Sequence, residues 1–360
     1  MKLTTERRTL DGANVLILGG TGSLGQRLFH RLATDEAGRA ESVTVLSRDE
    51  AKQHYMRLDI MNAASATDDV IYRESASRVR FVIGDVRNYP DMRRAVDRAD
   101  VIFHAAALKQ VPTCEYFGSA AVDTNVYGAI NLARAIVESP QREKHVVGIS
   151  TDKACKPVNL MGMTKAIQER ILIQAALESP GARVSNVRYG NVMASRGSAV
   201  PFFIDLVRSG RKIPITDERM TRFLMTLDQS VDLILAAFRG ARTGETYLPM
   251  VPCAKVTDMA FAIAGRDDYP IEITGIRPGE KIHEILISEE EISRTELRGD
   301  NLVILPILPE LRTEAPANQD FPFDGEYTSA QNNLDLAGVK ELLERHKLTA
   351  HTAAAVPAYA

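Results

Sequence analysis

Apolar and polar positions alternate along the first half of the chain in a repeating rhythm. Asn14–Leu18 (NVLIL), Ser42–Leu46 (SVTVL), Arg80–Ile83 (RFVI), Val101–His104 (VIFH), His145–Ile149 (HVVGI) and Val184–Arg188 (VSNVR) are short, mostly apolar runs. Runs of this length, rich in β-branched residues, predict strands. Longer polar stretches with helical spacing lie between them. Near-continuous apolar strands suit a sheet buried on both faces, and intervening helices supply the cover. The pattern therefore predicts an α/β fold with a doubly wound parallel sheet and right-handed crossovers.

After Asn191 the rhythm changes. Ser195-Arg196-Gly197-Ser198, Pro201, Pro214 and Pro278 break the chain into short elements. A smaller C-terminal lobe is expected from residues 191–224 and 256–349. Residues 225–255, with a helix over Gln229–Arg239, are expected to pack back on the main sheet. The Ala-rich end, Ala350–Ala360, reads as a disordered tail. A length of 360 residues accommodates such an arrangement.

Composition narrows the function classes. A 45% hydrophobic and 25% charged chain can fill a sizeable core. The net charge of −3 gives no general attraction to nucleic acid or to a membrane surface, so any phosphate must be bound by local groups. Cys114, Cys155 and Cys253 are far apart and form no metal-ligand pair, which indicates neither a zinc site nor a disulfide framework. The N-terminal residues carry no apolar leader, and every apolar run falls well short of the ~20 residues that span a bilayer. The expectation is a cytoplasmic protein without membrane insertion.

Gly19-Gly20-Thr21-Gly22-Ser23-Leu24-Gly25 follows the first predicted strand and opens a helix. Gly19 permits a tight turn, Gly22 a close backbone approach to pyrophosphate, and Gly25 close helix packing. The helix N-terminus offers N–H groups and partial positive charge to phosphates. In this strand–turn–helix setting the motif predicts a dinucleotide-binding Rossmann domain over residues 1–190. The second strand ends in Leu46-Ser47-Arg48-Asp49, with Lys52 a turn later. A NAD site usually places an acid there for the ribose, whereas a guanidinium fork suits a 2′-phosphate. Ser47, Arg48 and Lys52 thus favour NADP; the competing reading leaves Arg48 solvated and gives Asp49 the ribose. Asp85, in Gly84-Asp85-Val86, can accept from the adenine amino group. Ala105, Ala106 and Ala107 after the fourth strand either let the backbone approach a cofactor or simply pack.

The fifth strand ends in Ile149-Ser150-Thr151-Asp152-Lys153, and Lys165 follows within Asn159-Leu160-Met161-Gly162-Met163-Thr164-Lys165. Residues four apart on a helix share a face, so a Tyr-x-x-x-Lys pair would place a phenol beside the lysine. Here Met161 holds the tyrosine position, and a thioether has no proton to exchange. Either Met161 is core filler at a dead site or another group replaces the tyrosine. Asp152 is the nearest candidate.

These residues resemble the nucleotide-sugar 4,6-dehydratases that act on UDP-N-acetylglucosamine, a branch of the extended short-chain dehydrogenases. GGTGSLG, LSRDE, GDVRN, HAAALKQVPTCE, ISTDKACKPVNLMGMTK, RYGNVMASRGS, ITDERMTRF and IRPGEKIHE are similar to family segments in the same order, over about residues 12–345. Met161 is a family variant: membrane-anchored and capsular members carry Met-x-x-x-Lys, and the pseudaminic acid members keep the tyrosine. Asp217–Phe223 looks more like the soluble enzymes that invert C5, and Tyr327-Thr328-Ser329 is similar to the capsular ones. The resemblance implies a lyase that oxidises sugar C4 with NADP, removes the C5 proton, releases the C6 hydroxyl as water and returns hydride to C6. It implies Asp152 as the acid at C6, Lys153 as the base at C5, Lys165 on the nicotinamide ribose and Thr151 on the C4 hydroxyl. Lys153 must be neutral to act, and Lys165 and an oxidised nicotinamide would push its pKa down. Asn191, after Tyr189-Gly190, would fix the sugar and nicotinamide ends. Lys109 or Glu115 would face substrate. Arg222, Arg277 and Glu280 would hold the diphosphate and uridine ribose of a UDP-amino sugar. Family members are commonly homo-oligomers. A UDP-sugar C4 epimerase is the first alternative, disfavoured by the loss of the tyrosine. A non-catalytic dinucleotide sensor is the second, disfavoured by Lys165.

Overall fold

The computed structural model describes residues 9–66, 78–140, 143–195, 197–312 and 321–353. Its sheet grows outward from β1 (Asn14–Leu18). On one side lie β2 (Ser42–Ser47) and β3 (Val79–Ile83); on the other lie β4 (Val101–His104), β5 (His145–Ile149) and β6 (Arg183–Val187). All run parallel, with Val15 opposite both Val43 and Val101.

Both faces of β1 are apolar because both are covered. Val15 and Ile17 share one core with Leu28, Phe29 and Leu32 of α1 (Ser23–Ala33). Leu16 and Leu18 face the other core, with Met92, Val96, Leu132, Ile136 and Leu172. Successive strand residues point to opposite faces, so a run such as NVLIL serves two layers at once. The chain's parallel order reverses direction between β1 and β4, which opens a crevice at the strands' carboxyl ends.

Beyond β6 the chain builds a second body. β7 (Ile213–Ile215) pairs with β11 (Ile271–Ile273), β8 (Thr221–Phe223) with β10 (Cys253–Lys255), and β12 (Ile285–Ile287) with β15 (Tyr327–Thr328). Phe203, Ile204, Ile215, Leu224, Ile263, Val339 and Leu343 form its core. The Leu227–Gly240 helix starts in a Thr226–Gln229 capping box and returns to the main sheet. There Phe238 stacks on His145, with ring centroids 4.6 Å apart.

Two segments depart from the sequence reading. β9 (Thr246–Pro249) joins the main sheet beside β6, and β14 (Asn301–Ile304) and β13 (Thr295–Arg298) extend it antiparallel to nine strands. Residues 295–304 therefore belong to the large sheet and not to the smaller body. A two-residue turn at Gly299 and Asp300 folds them into a hairpin, and Leu302 buries opposite Leu248. At the C-terminus, Ala350 is buried and donates to the Ile263 carbonyl, and Arg208 reaches the Ala350 carbonyl at 2.9 Å. The chain stays packed to Ala353; residues 354–360 lie outside the described ones. No helix among the described residues is long and apolar enough to cross a membrane.

Candidate active site

A cleft of about 590 Å³ runs along the carboxyl ends of the parallel strands. Its floor begins at the turn between β1 and α1. Gly19 has φ +77°, and a Cβ there would lie 2.6 Å from the Ala106 Cα, so only glycine lets these two strand ends meet. A Cβ on Gly25 would fall 2.5 Å from the Gly20 Cα. On Gly22 it would touch only the Gly19 carbonyl, at 3.6 Å, and otherwise point into open space. No side chain caps α1. A glycine backbone at an uncapped helix N-terminus suits an anion. Thr21, Ser23 and Leu24 line the same wall, and Ala105, Ala106 and Ala107 line the opposite one.

Ser47, Arg48 and Lys52 stand together at the end of β2. The Ser47 hydroxyl accepts from Gln53, which ties β2 to β3. Lys52 pairs with Asp49 at 2.9 Å. Arg48 is half exposed and reaches no nearer than 3.9 Å to Asp85. Asp85 is gripped by Arg87 from Nε and Nη2, a partner the sequence reading did not supply. Burial pushes the Asp85 carboxyl up, but Arg87 outweighs it and holds the group below its ordinary range. Val86 lines the cleft beside it.

The Thr151-Asp152-Lys153 segment is built where β5 ends. Thr151 caps a single turn over Asp152–Ala154. Asp152 is fully buried, and its N–H donates to the Tyr189 carbonyl at 2.9 Å. Its Oδ1 accepts from Thr151 Oγ1 at 2.8 Å and from Lys153 Nζ at 3.0 Å, while Oδ2 has no partner. Burial raises the Asp152 pKa. Gly162 explains how the next helix, Leu160–Glu178, sits so close: a Cβ there would lie 2.1 Å from the Lys153 carbonyl. Asn159 caps that helix, and Glu115 accepts from Leu160 N at 2.6 Å. Glu115 thus braces the helix and does not line the cleft.

Met161 and Lys165 both line the cleft from this helix. Met161 also packs with Cys114, Ala121, Leu108 and Val111. Lys165 donates to the Ile149 carbonyl at 2.5 Å and to Gln168 at 2.6 Å. Burial pulls its pKa down to about 7. Beneath it, His104 is fully buried with neither ring nitrogen bonded, and burial followed by the Lys165 charge lowers its pKa to about 3. Tyr189, Asn191 and Lys109 line the far end, where Asn191 Oδ1 is buried without a partner.

Two expectations change here. Lys153 is not pushed toward neutrality. Burial alone would lower its pKa, but Asp152 and Glu284 outweigh burial and raise it. Sequence reasoning also missed Glu284, which lies 3.2 Å from Lys153 Nζ and is buried. Its only signal was a fourth charge, closing the IRPGEKIHE segment. The lobe residues are the second change. Arg222 donates to the Thr221 and Ile282 carbonyls and lies 3.9 Å from Glu284, turned inward and away from the cleft lining. Arg277 and Glu280 close one exposed turn, with Arg277 N donating to Glu280 Oε2 at 3.3 Å. That turn packs through Gly279 on Asn159 and Val111 at the rim. Backbone carbonyls hold the Arg222 guanidinium, and a tight turn holds the backbone of Arg277 and Glu280. No group of three or more potential metal ligands occurs among the described residues.

Residues 15–305 match the family described as polysaccharide biosynthesis protein. The chain belongs to this family. A relative of Rickettsia canadensis (strain McKiel) called UDP-glucose 4-epimerase is 40% identical over 291 residues, covering 79% of this chain and 81% of that protein. The solved structure of Pen from Bacillus thuringiensis superposes with a TM-score of 0.81 at 32% identity, covering 94% of this family member and 99% of Pen. DesIV, a dTDP-glucose 4,6-dehydratase of Streptomyces venezuelae solved with NAD and TYD bound, superposes with a TM-score of 0.62 at 21% identity, covering 75% of this chain and 86% of its own. The fold is that of the extended short-chain dehydrogenases.

Proposed function

We propose that this chain is an NADP-dependent 4,6-dehydratase of UDP-N-acetylglucosamine that inverts C5, working as a homo-oligomer. The observation that carries this reading is the pairing of Met161 with Asp152 and Lys153. Met161 stands one helical turn before Lys165 and cannot exchange a proton. A buried carboxyl and an ammonium 3.0 Å apart lie at the adjoining strand end. An elimination needs an acid and a base close together; a C4 epimerase needs neither at C5 or C6.

The glycine cradle suits a dinucleotide: the space beside Gly22 is open and backbone-lined, and α1 has no competing cap. A bound nicotinamide would accept hydride from C4 and give it back at C6. Arg48 and Lys52 would meet the 2′-phosphate, Asp85 and Val86 the adenine, and Lys165 the ribose. The alanines at 105–107 permit close approach, while Tyr189 and Asn191 bound the nicotinamide end. Asp152, whose pKa burial raises, is suited to take the C4 hydroxyl proton through Thr151 and to deliver it to the departing C6 hydroxyl. Lys109 and Asn191 would hold the sugar. Arg222, Arg277 and Glu280 would engage UDP only after the rim turn shifts.

The 40% identical relative called UDP-glucose 4-epimerase favours a second reading, reversible inversion at C4. One experiment separates the two. The protein is incubated with NADP and UDP-N-acetylglucosamine in D2O and the sugar is followed by NMR. Dehydration gives a 4-keto-6-deoxy product with deuterium at C5. A C4 epimer that retains the C6 hydroxyl and the C5 proton would replace the dehydratase reading.

A further inference from the structure

Lys153 lies between two buried carboxylates, 3.0 Å from Asp152 and 3.2 Å from Glu284. Each carboxylate keeps one oxygen without a partner, Asp152 Oδ2 and Glu284 Oε2. The two acids come from different bodies. Asp152 follows β5 of the main sheet, and Glu284 precedes β12 of the smaller body, fixed by hydrogen bonds between its backbone and Ser329. The other charges facing Glu284 are Arg222, at 3.9 Å, and Lys281, whose Nζ is held by the Cys155 carbonyl at 2.6 Å. His283 is its neighbour in sequence, with Nδ1 on Thr221. This arrangement poses a chemical problem for the dehydratase reading. A lysine held by two carboxylates stays an ammonium and cannot remove a proton from carbon.

We propose that Glu284 is the positioning residue that converts Lys153 into a base, accepting one of its protons after the sugar's C4 hydroxyl proton has moved to Asp152. The inference rests on the dehydratase reading and adds to it a sequence of proton transfers. Taking the C4 proton neutralises Asp152 and removes one of the two charges that hold the ammonium. The Nζ–H bond directed at Glu284 then breaks and an Oε–H bond forms. The freed amine lone pair takes the C5 proton, and the C5–H electrons form the C5–C6 double bond. The C6–O bond breaks, and the Asp152 proton leaves with the hydroxyl as water. C5 is then protonated from the opposite face by solvent as hydride returns to C6, and Glu284 gives its proton up to that solvent, so that the configuration at C5 inverts. Every group ends as it began, and the water carries away the proton that started on the C4 hydroxyl. The first proton transfer thereby arms the second.

Full-length Glu284→Gln and Glu284→Asp proteins, checked by thermal unfolding, are compared with wild type on UDP-N-acetylglucosamine in D2O. Glu284→Gln should lower kcat about a hundredfold while KM moves less than about threefold. Its C5 deuterium incorporation should fall in parallel. Its rate should climb steadily with pH through the alkaline range, as hydroxide replaces the missing acceptor, where wild type is flat. Glu284→Asp, which keeps the carboxylate, should recover part of the rate and the flat profile. The inference is overturned if Glu284→Gln exchanges C5–H at the wild-type rate. It is equally overturned if the loss is independent of pH and is not relieved by Glu284→Asp, since a purely structural role would give that result. Failure of wild type itself to dehydrate or exchange C5–H sinks the dehydratase reading and takes this inference with it, an outcome distinct from a defect confined to the variants.

Discussion

Residues 19–25 and residues 277–284 both contribute to one working region, yet they do so by different physics. The first segment is a single turn whose shape is local. Its Gly19 meets the strand end at Ala106, and every residue of the motif but Gly20 lines the cleft. The second segment depends on what it packs against. Its Arg277 and Glu280 face outward at the rim, and its last residue, Glu284, is buried against Lys153. A binding turn can be preformed by a few backbone angles. A charged residue in a lobe is placed only when the lobe's own core and its contact with the sheet are complete. The glycine half of the cleft is therefore shaped by its own backbone, while in the lobe half Arg222 is held by the Thr221 and Ile282 carbonyls and Glu284 by its place against Lys153.

The sharpest way to test that contrast is at the seam between the two halves. Asp152→Asn keeps the side chain's size but removes the group that would carry the proton from C4 to C6. Turnover should fall by about 10²–10⁴-fold, with UDP-sugar affinity retained. Single-turnover absorbance of reduced nicotinamide, together with product NMR, reads both steps. An Asp152→Asn protein with near wild-type turnover would remove Asp152 from the chemistry.

A smaller effect is expected in the preformed half. Arg48→Asp replaces a half-exposed cation that lies beside Asp85 and faces the proposed 2′-phosphate. NADP affinity should drop about tenfold to a hundredfold, with little change for NAD. Titration of both cofactors into stripped protein measures it. A clear wild-type preference for NAD would reverse the cofactor assignment. The smallest effect is expected at the rim. Arg277→Ala removes an exposed charge whose backbone turn, not its guanidinium, is held in this structure. KM for the UDP-sugar should rise no more than about fivefold, with kcat unchanged, as for a single exposed charge contact of ~1 kcal/mol. A larger change would mean that Arg277 reaches the diphosphate fully in the complex, and the contrast between the halves would narrow.

β1, β2, β4, β5 and β6 were legible because each is an apolar run serving two covered layers, and β3, at the sheet's edge with Val82 and Ile83 exposed, was legible from its apolar run alone. Val184–Arg188 was placed one residue late, a normal uncertainty at a strand end. The later strands of the large sheet were not legible. Thr246–Pro249, inside the sheet, and Thr295–Arg298, at its edge, are short and carry polar residues, and nothing local says which strand they will pair with. The placement of Asp152 and Lys153 together at a strand end could be read from the chain. The third member could not, because Glu284 is 131 residues from Lys153 and its role depends on a pairing between bodies. The same limit applies to charge state. Adjacent cations suggested a neutral Lys153, while two flanking acids outweigh burial and hold it charged.

The interrupted order of the nine-stranded sheet bears on how the chain is made. When β6 emerges from the ribosome, its outer edge is bare. The strand that covers it, β9, begins only at Thr246, and the hairpin that closes that side ends at Ile304. An uncovered strand edge is a template for pairing with another chain. Nascent chains thus pass through a window in which the parallel sheet lacks both its border and the Leu227–Gly240 helix that completes one of its cores. Fragments ending near residue 190 should be prone to association, and expression at lower temperature or with chaperones should favour the full-length product.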